Sequence, residues 1–354
     1  MSGKTMDKSK VLIAMSGGVD SAVAALLLKK AGYSTEGITM TLWGEASTDA
    51  DINCIDARRT ADSLGILHRS VFLNDEFKQL VVEDFVKQYI DGYTPNPCVT
   101  CNKTIKFGKL MDICDELGFD KLATGHYARI EENESGEFLL KKAKDETKDQ
   151  SYFLWSIKKE NLKKILFPLG DYTKAEARQI ASEHSLEVAK RSDSQDICFV
   201  PNGEYADFIK EFTKASFPKG DFISPDGKIL GQHSGLINYT IGQRKGLRIA
   251  LGVPAFVQKK NAVNNTVTLC RSDELFSSTL TAKDINLLKD GALTEPQRLF
   301  VKIRYRHTPT IATVERLNDG RARVTFDIPQ RAITPGQSVV FYDDDTVVGG
   351  GIIE

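Results

Sequence analysis

The sequence has no run of about eighteen apolar residues, so no helix of it is expected to cross a membrane. Met1 to Lys10 is polar and basic and lacks an apolar stretch, so no secretory leader is expected and a cytoplasmic location follows. Net charge is nearly absent, −1 over 354 residues, which argues against a protein that coats nucleic acid. It leaves room for a local basic face. Cysteine is sparse: six thiols in such a chain are no disulfide framework, and each is either a small hydrophobe or a chemical group. There is no internal repeat and no low-complexity tract. The length favours two or three domains over one.

A Walker lysine is also missing. Val11-Leu12-Ile13-Ala14-Met15 reads as a buried parallel strand, and Ala22 to Lys30 as a helix ending near Gly32. Between them lies Ser16-Gly17-Gly18-Val19-Asp20-Ser21. The glycines let backbone approach a ligand, the serines offer hydroxyls, and the helix start supplies free N–H groups and partial positive charge. That is an anion cradle. The Walker pattern fails for want of Lys, and G-x-G-x-x-G fails because Gly17 and Gly18 are adjacent. The stretch resembles the PP-loop, S-G-G-x-D-S, of the ATP pyrophosphatases, in which pyrophosphate is held while AMP is transferred. An ordinary strand–turn–helix corner is the bland alternative.

Further along, Gly37 to Leu42 and Ile66 to Val71 read as strands, Asp49 to Leu64 and Glu76 to Tyr93 as helices. Met40 suits either a core or an adenine contact. Thr94-Pro95-Asn96-Pro97-Cys98-Val99-Thr100-Cys101-Asn102-Lys103 reads as a stiff, exposed turn before a helix from Ile105 to Leu117. A cysteine at such a helix start, with Lys103 and Lys106 near, is expected to have a depressed pKa. Cys54 and Cys114 read as structural. Lys121 to Ala128 is a strand and turn carrying Gly125 and His126, and Glu131 to Lys148 a solvated hairpin. Tyr172 to His184 reads as a helix. In Ser192-Asp193-Ser194-Gln195-Asp196-Ile197-Cys198-Phe199 the thiol lies in a polar, carboxylate-rich loop, an unusual place for a structural one.

After about Phe217 the rhythm changes to short strands with Pro and Gly. Tyr239 to Leu247 joins Gly, Arg and Lys in a way that suits phosphate contact. From Leu299 the period is two, which reads as a small β-barrel. Arg304-Tyr305-Arg306-His307 pairs cations with a stacking ring and suits RNA as well as it suits a solvated strand end.

ATP cleavage beside reactive thiols suggests replacement of a carbonyl oxygen by sulfur. An amide-like oxygen leaves poorly, and AMP attached to it makes it leave well. A persulfide can then attack the carbon, and a second thiol must cut the S–S bond. Here the chain resembles, over essentially its whole length, the tRNA-specific 2-thiouridylases of the MnmA type. The resemblance is carried by Ala14 to Ser21, Thr94-Pro95-Asn96-Pro97, Cys101-Asn102-Lys103, Ala123 to Tyr127, Lys148 to Tyr152, Asp196-Ile197-Cys198-Phe199, Arg304-Tyr305-Arg306 and Thr334-Pro335-Gly336-Gln337. It implies an α/β fold: a Rossmann-like parallel-sheet PP-loop domain over 1–205, a small mostly-β central domain over 206–278 and a tRNA-contacting C-terminal β-barrel over 279–354.

By that resemblance Cys198 accepts persulfide sulfur and Cys101 is its thiol partner. Ala14, Met15, Ser16, Gly17, Gly18, Val19, Asp20, Ser21, Met40 and Gly125 hold ATP with Mg²⁺. Asn96, Pro97 and Cys98 surround a flipped base. His126, Lys148, Asp149, Gln150, Arg304, Tyr305 and Gln337 contact tRNA, and a sulfur donor is the second partner. The implied substrate is the wobble uridine of tRNAs for Lys, Glu and Gln. Cys98 stands where well-described members carry an acid/base Asp. Cys98, Cys101 and Cys198 give three thiolates, the number that would hold a 4Fe–4S cluster with one iron open. A zinc site lacking a fourth ligand and a plain extra thiol beside a persulfide mechanism are the alternatives. Two other functions stay open: an amide-forming ATP pyrophosphatase, and a non-enzymatic protein binding adenine nucleotide and RNA.

Overall fold

The computed structural model describes residues 9–44, 52–190, 197–200, 203–249 and 252–354. Expectations for Met1 to Lys8, for 49–51 and for Ser192 to Asp196 lie outside the described residues. Among the described residues no helix is long and apolar enough to cross a membrane.

Strand β1 (Lys10–Ala14) is the centre of the first domain, with Val11, Leu12 and Ile13 fully buried. A continuous apolar run is what a strand covered on both faces requires. It pairs in parallel with β2 (Ser34–Thr41), which pairs with β3 (Leu67–Phe72). On its other side it pairs with β4 (Lys121–Ala123). A hairpin, β5 (Arg129–Glu132) and β6 (Phe138–Lys141), precedes β7 (Ile165–Leu166), which closes the order β3-β2-β1-β4-β7. The strand order reverses between β1 and β4. Ligands bind at such a switch point, outside the carboxyl ends of the strands.

Helix α1 (Val19–Lys30) leaves β1 through the glycine turn, and its run of alanines lets it press closely on the sheet. Gly32 follows it at φ +90°, as a helix-ending glycine should. Helix α2 (Ile52–Leu64) covers β2 and β3. Two longer helices, 74–90 and 97–116, each contain a stretch of π-helix, Lys78–Val82 and Asn102–Lys109. The second starts at Pro97, eight residues before its sequence-based start. Pro97 occupies the first helical position, where proline's missing N–H costs nothing, so Cys98 and Cys101 ride on the helix and not on a turn.

The central sheet comprises β8 (Gly220–Ile223), β9 (Ile229–His233), β10 (Phe256–Asn261) and β11 (Thr266–Cys270), in the order β10-β11-β8-β9. Strands β12 (Phe276–Leu287), β13 (Gln297–Lys302), β14 (Thr310–Arg316), β15 (Ala322–Arg331), β16 (Ser338–Asp343) and β17 (Thr346–Ile353) form an antiparallel barrel closed by β12 against β17. The β5–β6 hairpin docks on this barrel, Lys141 opposite Thr346, with Leu140 fully buried. It is therefore an interdomain arm, not a solvated hairpin. Tyr152 Oη donates to Ser338 O (2.9 Å) and Trp155 Nε1 to Ser338 Oγ (3.0 Å), fixing the same interface.

Candidate active site

The cradle lies at the carboxyl end of β1. Gly17 has φ +69°, and a Cβ there would stand 2.6 Å from Asn53 O, so both conformation and space demand glycine. Ser16 N donates to Ser21 Oγ (3.1 Å), and Ser21 Oγ donates to Gly18 O (3.1 Å). Thr39 Oγ1 donates to Met15 O (2.8 Å), tying β2 to the turn. Gly125, past the end of β4, touches the opposite side. A Cβ on it would stand 2.8 Å from Ser21 N and 2.9 Å from Asp20 C. Gly125→Ala should therefore push α1's first turn off register and lower ATP turnover about 10²-fold, because misplacing a bound reactant by an ångström has that cost. Pyrophosphate release checks it, and a wild-type rate would contradict the close fit.

Asp20 is not alone in the cradle. Its carboxylate accepts from Tyr127 Oη (2.9 Å) and, with both oxygens, from Lys174 Nζ (2.7 and 2.8 Å). Lys174 opens the helix Lys174–Glu183. Its main chain is held by a Thr173–Glu176 capping box and by donation from Lys174 N to Asp145 Oδ2 (3.0 Å). An ammonium thus stands where the sequence lacks a Walker lysine.

Cys98 and Cys101 lie on the helix that starts at Pro97, and Cys198 on the Ile197–Val200 turn. Cys101 is 7% exposed; Cys98 and Cys198 are open to solvent. Each of the three thiols feels Lys106, Cys98 and Cys198 raise the pKa of Cys101, and Cys98 raises that of Cys198, which places them near one another. Burial pushes Cys101 up to about 12 and outweighs the pull of Lys106. The same effect, desolvation first, raises Cys98 and Cys198. This corrects the depressed pKa expected from the neighbouring lysines: the sequence shows charge but not burial, and burial wins. Met40, Cys101 and Phe199 share one apolar cluster, so strand β2 carries the cradle's wall directly to the thiols.

Among the described residues, no three His, Cys, Asp or Glu side chains stand where they could share a metal ion. Cys98, Cys101 and Cys198 would be the thiolates that a 4Fe–4S cluster takes, and no step of the reaction is routed through iron. For Mg²⁺ the cradle offers one carboxylate, Asp20.

His126 is neutral. Lys106 Nζ lies 3.4 Å from its Nε2 and Thr124 Oγ1 lies 2.7 Å from its Nδ1. An ammonium only donates, so Nε2 accepts and Nδ1 holds the proton. Burial first, then Lys106, drives its pKa well below the usual range. The 94–97 loop meets the barrel. Asn96 stands at the N-cap position with no side-chain capping bond, Thr94 N donates to Pro335 O (2.9 Å), and Gln337 Nε2 donates to Thr94 O (2.7 Å). Gln337 thus holds the loop through its amide.

Asp149 is buried, and its carboxylate accepts from Ala143 N, Ser151 N and Ser151 Oγ (3.1, 3.1 and 2.8 Å). Gln150 and Tyr127 exchange two hydrogen bonds (2.9 and 2.8 Å). These residues brace the strand-end turn, with Lys148 beside them half-buried. Arg304 and Arg306 are exposed, and Arg304 Nη1 donates to Arg331 O (3.2 Å). The Tyr305 ring centroid lies 4.5 Å from that of Phe153, the planes tilted by 39°, with Lys302 Nζ 5.7 Å from its centroid. They form a basic, aromatic face.

Three family models match the chain: a tRNA methyl transferase HUP domain over residues 9–202, a tRNA methyl transferase PRC-barrel domain over 206–271 and an aminomethyltransferase beta-barrel domain over 277–353. The tRNA-specific 2-thiouridylase MnmA of Clostridioides difficile (strain 630) is 46% identical over 353 residues, covering 98% of each chain. The chain belongs to the MnmA family of tRNA-specific 2-thiouridylases. The MnmA of Acetivibrio thermocellus is 45% identical over 359 residues, covering 99% of this chain and all of that one. Among solved structures, the U34-tRNA thiolase NcsA of Methanococcus maripaludis, with its 4Fe–4S cluster, aligns over 60% of this chain and 67% of its own at 21% identity and a TM-score of 0.35. So partial a superposition says nothing about iron here.

Within this MnmA-family chain, sequence reading missed Lys174, Tyr127 as a partner of Asp20, and Asn53 beneath Gly17. Lys174 lies 154 residues from Asp20, and only the fold joins them.

Proposed function

We propose that this chain replaces the C2 oxygen of a tRNA wobble uridine, in tRNAs for Lys, Glu and Gln, with sulfur at the expense of ATP. The carrying observation is the shared wall: Met40, next to the cradle's β2 contact, packs with Cys101 and with Phe199, the neighbour of Cys198. An activating site and a sulfur-transfer site would thus adjoin the same apolar cluster. Residues 1–205 would be the catalytic domain, with 206–278 central and 279–354 the tRNA-facing barrel.

In the first half, the uridine C2 oxygen attacks the α-phosphorus of ATP, and pyrophosphate leaves with its electron pair. The cradle amides and Lys174 bind the departing phosphates, and Asp20 is the carboxylate available to Mg²⁺, which supplies further charge neutralisation when bound. Asn96 to Cys98 receive the flipped base, with Arg304 and Tyr305 on the tRNA. In the second half, the terminal sulfur of a Cys198 persulfide attacks C2 and AMP leaves. The Cys101 thiolate then attacks Cys198 Sγ; the bond from Cys198 to the transferred sulfur breaks, and 2-thiouridine departs with its electron pair. A Cys101–Cys198 disulfide results, and an external thiol reductant must open it. A persulfide donor reloads Cys198.

The test is nucleoside analysis of tRNA treated with protein, ATP and a persulfide source. We expect 2-thiouridine with one AMP and one pyrophosphate per modified base; pyrophosphate without 2-thiouridine would favour an amide-forming synthetase, and neither product a binding protein. Protein stripped of iron under anaerobic conditions should modify tRNA at the undiminished rate. Activity that returns only with iron and sulfide would make Cys98, Cys101 and Cys198 cluster ligands instead.

A further inference from the structure

Lys260 is a buried cation outside the reaction described above. It lies on β10 of the central domain and is 8% exposed. Among the described residues no carboxylate pairs with it. Its Nζ donates to Tyr93 O (3.2 Å) and lies 5.6 Å from the Tyr89 ring centroid, which stacks 4.8 Å from Tyr205. Gly92, at φ +89°, leaves just enough room: a Cβ there would stand 3.7 Å from Lys260 Cβ. Burial pushes the amine down to about 8, so it still carries its proton at neutral pH.

Tyr93 O is the last carbonyl before the base loop. The next residue, Thr94, is held through both its N–H and its C=O by Pro335 and Gln337 of the barrel. Gly336 presses there so closely that a Cβ would lie 2.9 Å from Thr94 N. Two consecutive peptide groups are thus fixed by two other domains. A buried, unpaired ammonium is costly to stability, and an apolar side chain of the same length is not. Such a cation needs another reason to be there.

We infer that Lys260 is a positioning residue that holds the base-receiving loop Thr94–Pro97 from the central domain, while Gln337 holds it from the barrel. This rests on the reading of that loop as the uridine's receptor. Lys260 touches neither uridine nor ATP; it acts by fixing where Asn96 and the helix start at Pro97 stand.

Lys260→Met keeps the length and loses the charge and the donor. We expect its melting temperature to equal or exceed that of the wild type. At saturating tRNA kcat should fall about tenfold or more, with KM for tRNA within about twofold. Lys260→Arg, which restores a cation and donors, should recover at least half of the rate. Amide exchange in the peptide spanning 89–97 should quicken in Lys260→Met and not in the control Val263→Ser, whose side chain is 94% exposed on the β10–β11 turn. Adding Gln337→Ala to Lys260→Met should cost less than the two single losses combined, since both act on one loop. An undiminished kcat in Lys260→Met would overturn the inference. So would unchanged exchange at 89–97, or a rate loss matched by a fall in melting temperature in both variants. If wild-type protein makes no 2-thiouridine, the functional reading fails, and the exchange measurement still decides whether Lys260 holds the loop.

Discussion

Cys198→Ala is expected to release pyrophosphate at close to the wild-type rate and to make no detectable 2-thiouridine, a loss of about 10³-fold or more. The split follows from where the thiol sits. Ile197 to Val200 is a tight turn, Val200 N donating to Ile197 O (2.9 Å). Phe199 plugs that turn into an aromatic box, its ring 5.3 Å from Phe85, 5.4 Å from Phe208, 5.7 Å from Phe77 and 6.0 Å from Trp43. Cys198 is left exposed beside it. Removing an exposed sulfur leaves the box and the cradle untouched, so neither fold nor adenylation has cause to change. Cys101→Ala should also abolish product but trap the sulfur on the tRNA, as a disulfide between C2 and Cys198. Mass analysis of the protein–tRNA adduct reads this. Retained 2-thiouridine in Cys198→Ala, or a parallel collapse of pyrophosphate release, would remove Cys198 from the sulfur path.

The box also explains which parts of the site could be read from the sequence. The β1–turn–α1 unit was legible because strand, glycines and helix are contiguous, and each local preference agrees with the fold. The barrel was legible from its period of two. What depends on burial was not. Lys103 and Lys106 are visible beside Cys98 and Cys101, but the desolvation that pushes Cys101 up to about 12 comes from helix 74–90 and the segment around Phe199. The stretch from Glu131 to Lys148 looked like a solvated hairpin because it is polar and lysine-rich; Leu140 and the pairing of Lys141 to Thr346 reverse that reading for its inner strand. Thr94-Pro95-Asn96-Pro97 suggested a turn, yet its second proline starts the helix. Lys260 and Lys174 are ordinary lysines in the sequence, and only tertiary contacts single them out.

Lys174→Met is expected to lower pyrophosphate release about 10²- to 10³-fold, the usual loss on removing one preorganised charge from a site of developing charge. Lys174 Nζ is poised on both oxygens of Asp20, and its side chain is only 12% exposed. Without nucleotide the pair is self-satisfied: the ammonium neutralises the carboxylate, and Tyr127 Oη adds a third donor. A triphosphate entering the cradle brings stronger negative charge to the same ammonium. Lys174 can then turn to the phosphates and leave Asp20 for Mg²⁺, without a cation having to be drawn from solvent. Two consequences separate this role from simple packing. Lys174→Met should raise KM for ATP and lower the adenylation rate while leaving tRNA affinity unchanged, because the Lys174 ammonium is turned to Asp20 of the cradle. Lys174→Met combined with Asp20→Asn should be little worse than the poorer single variant, since each change disables the same exchange of partners. Lys174→Arg should rescue only in part, its planar fork being a poor substitute for a compact ammonium on a single phosphate oxygen. Wild-type pyrophosphate release by Lys174→Met would reduce the ion pair to a structural contact, and the cradle would then depend on its backbone amides and Mg²⁺ alone.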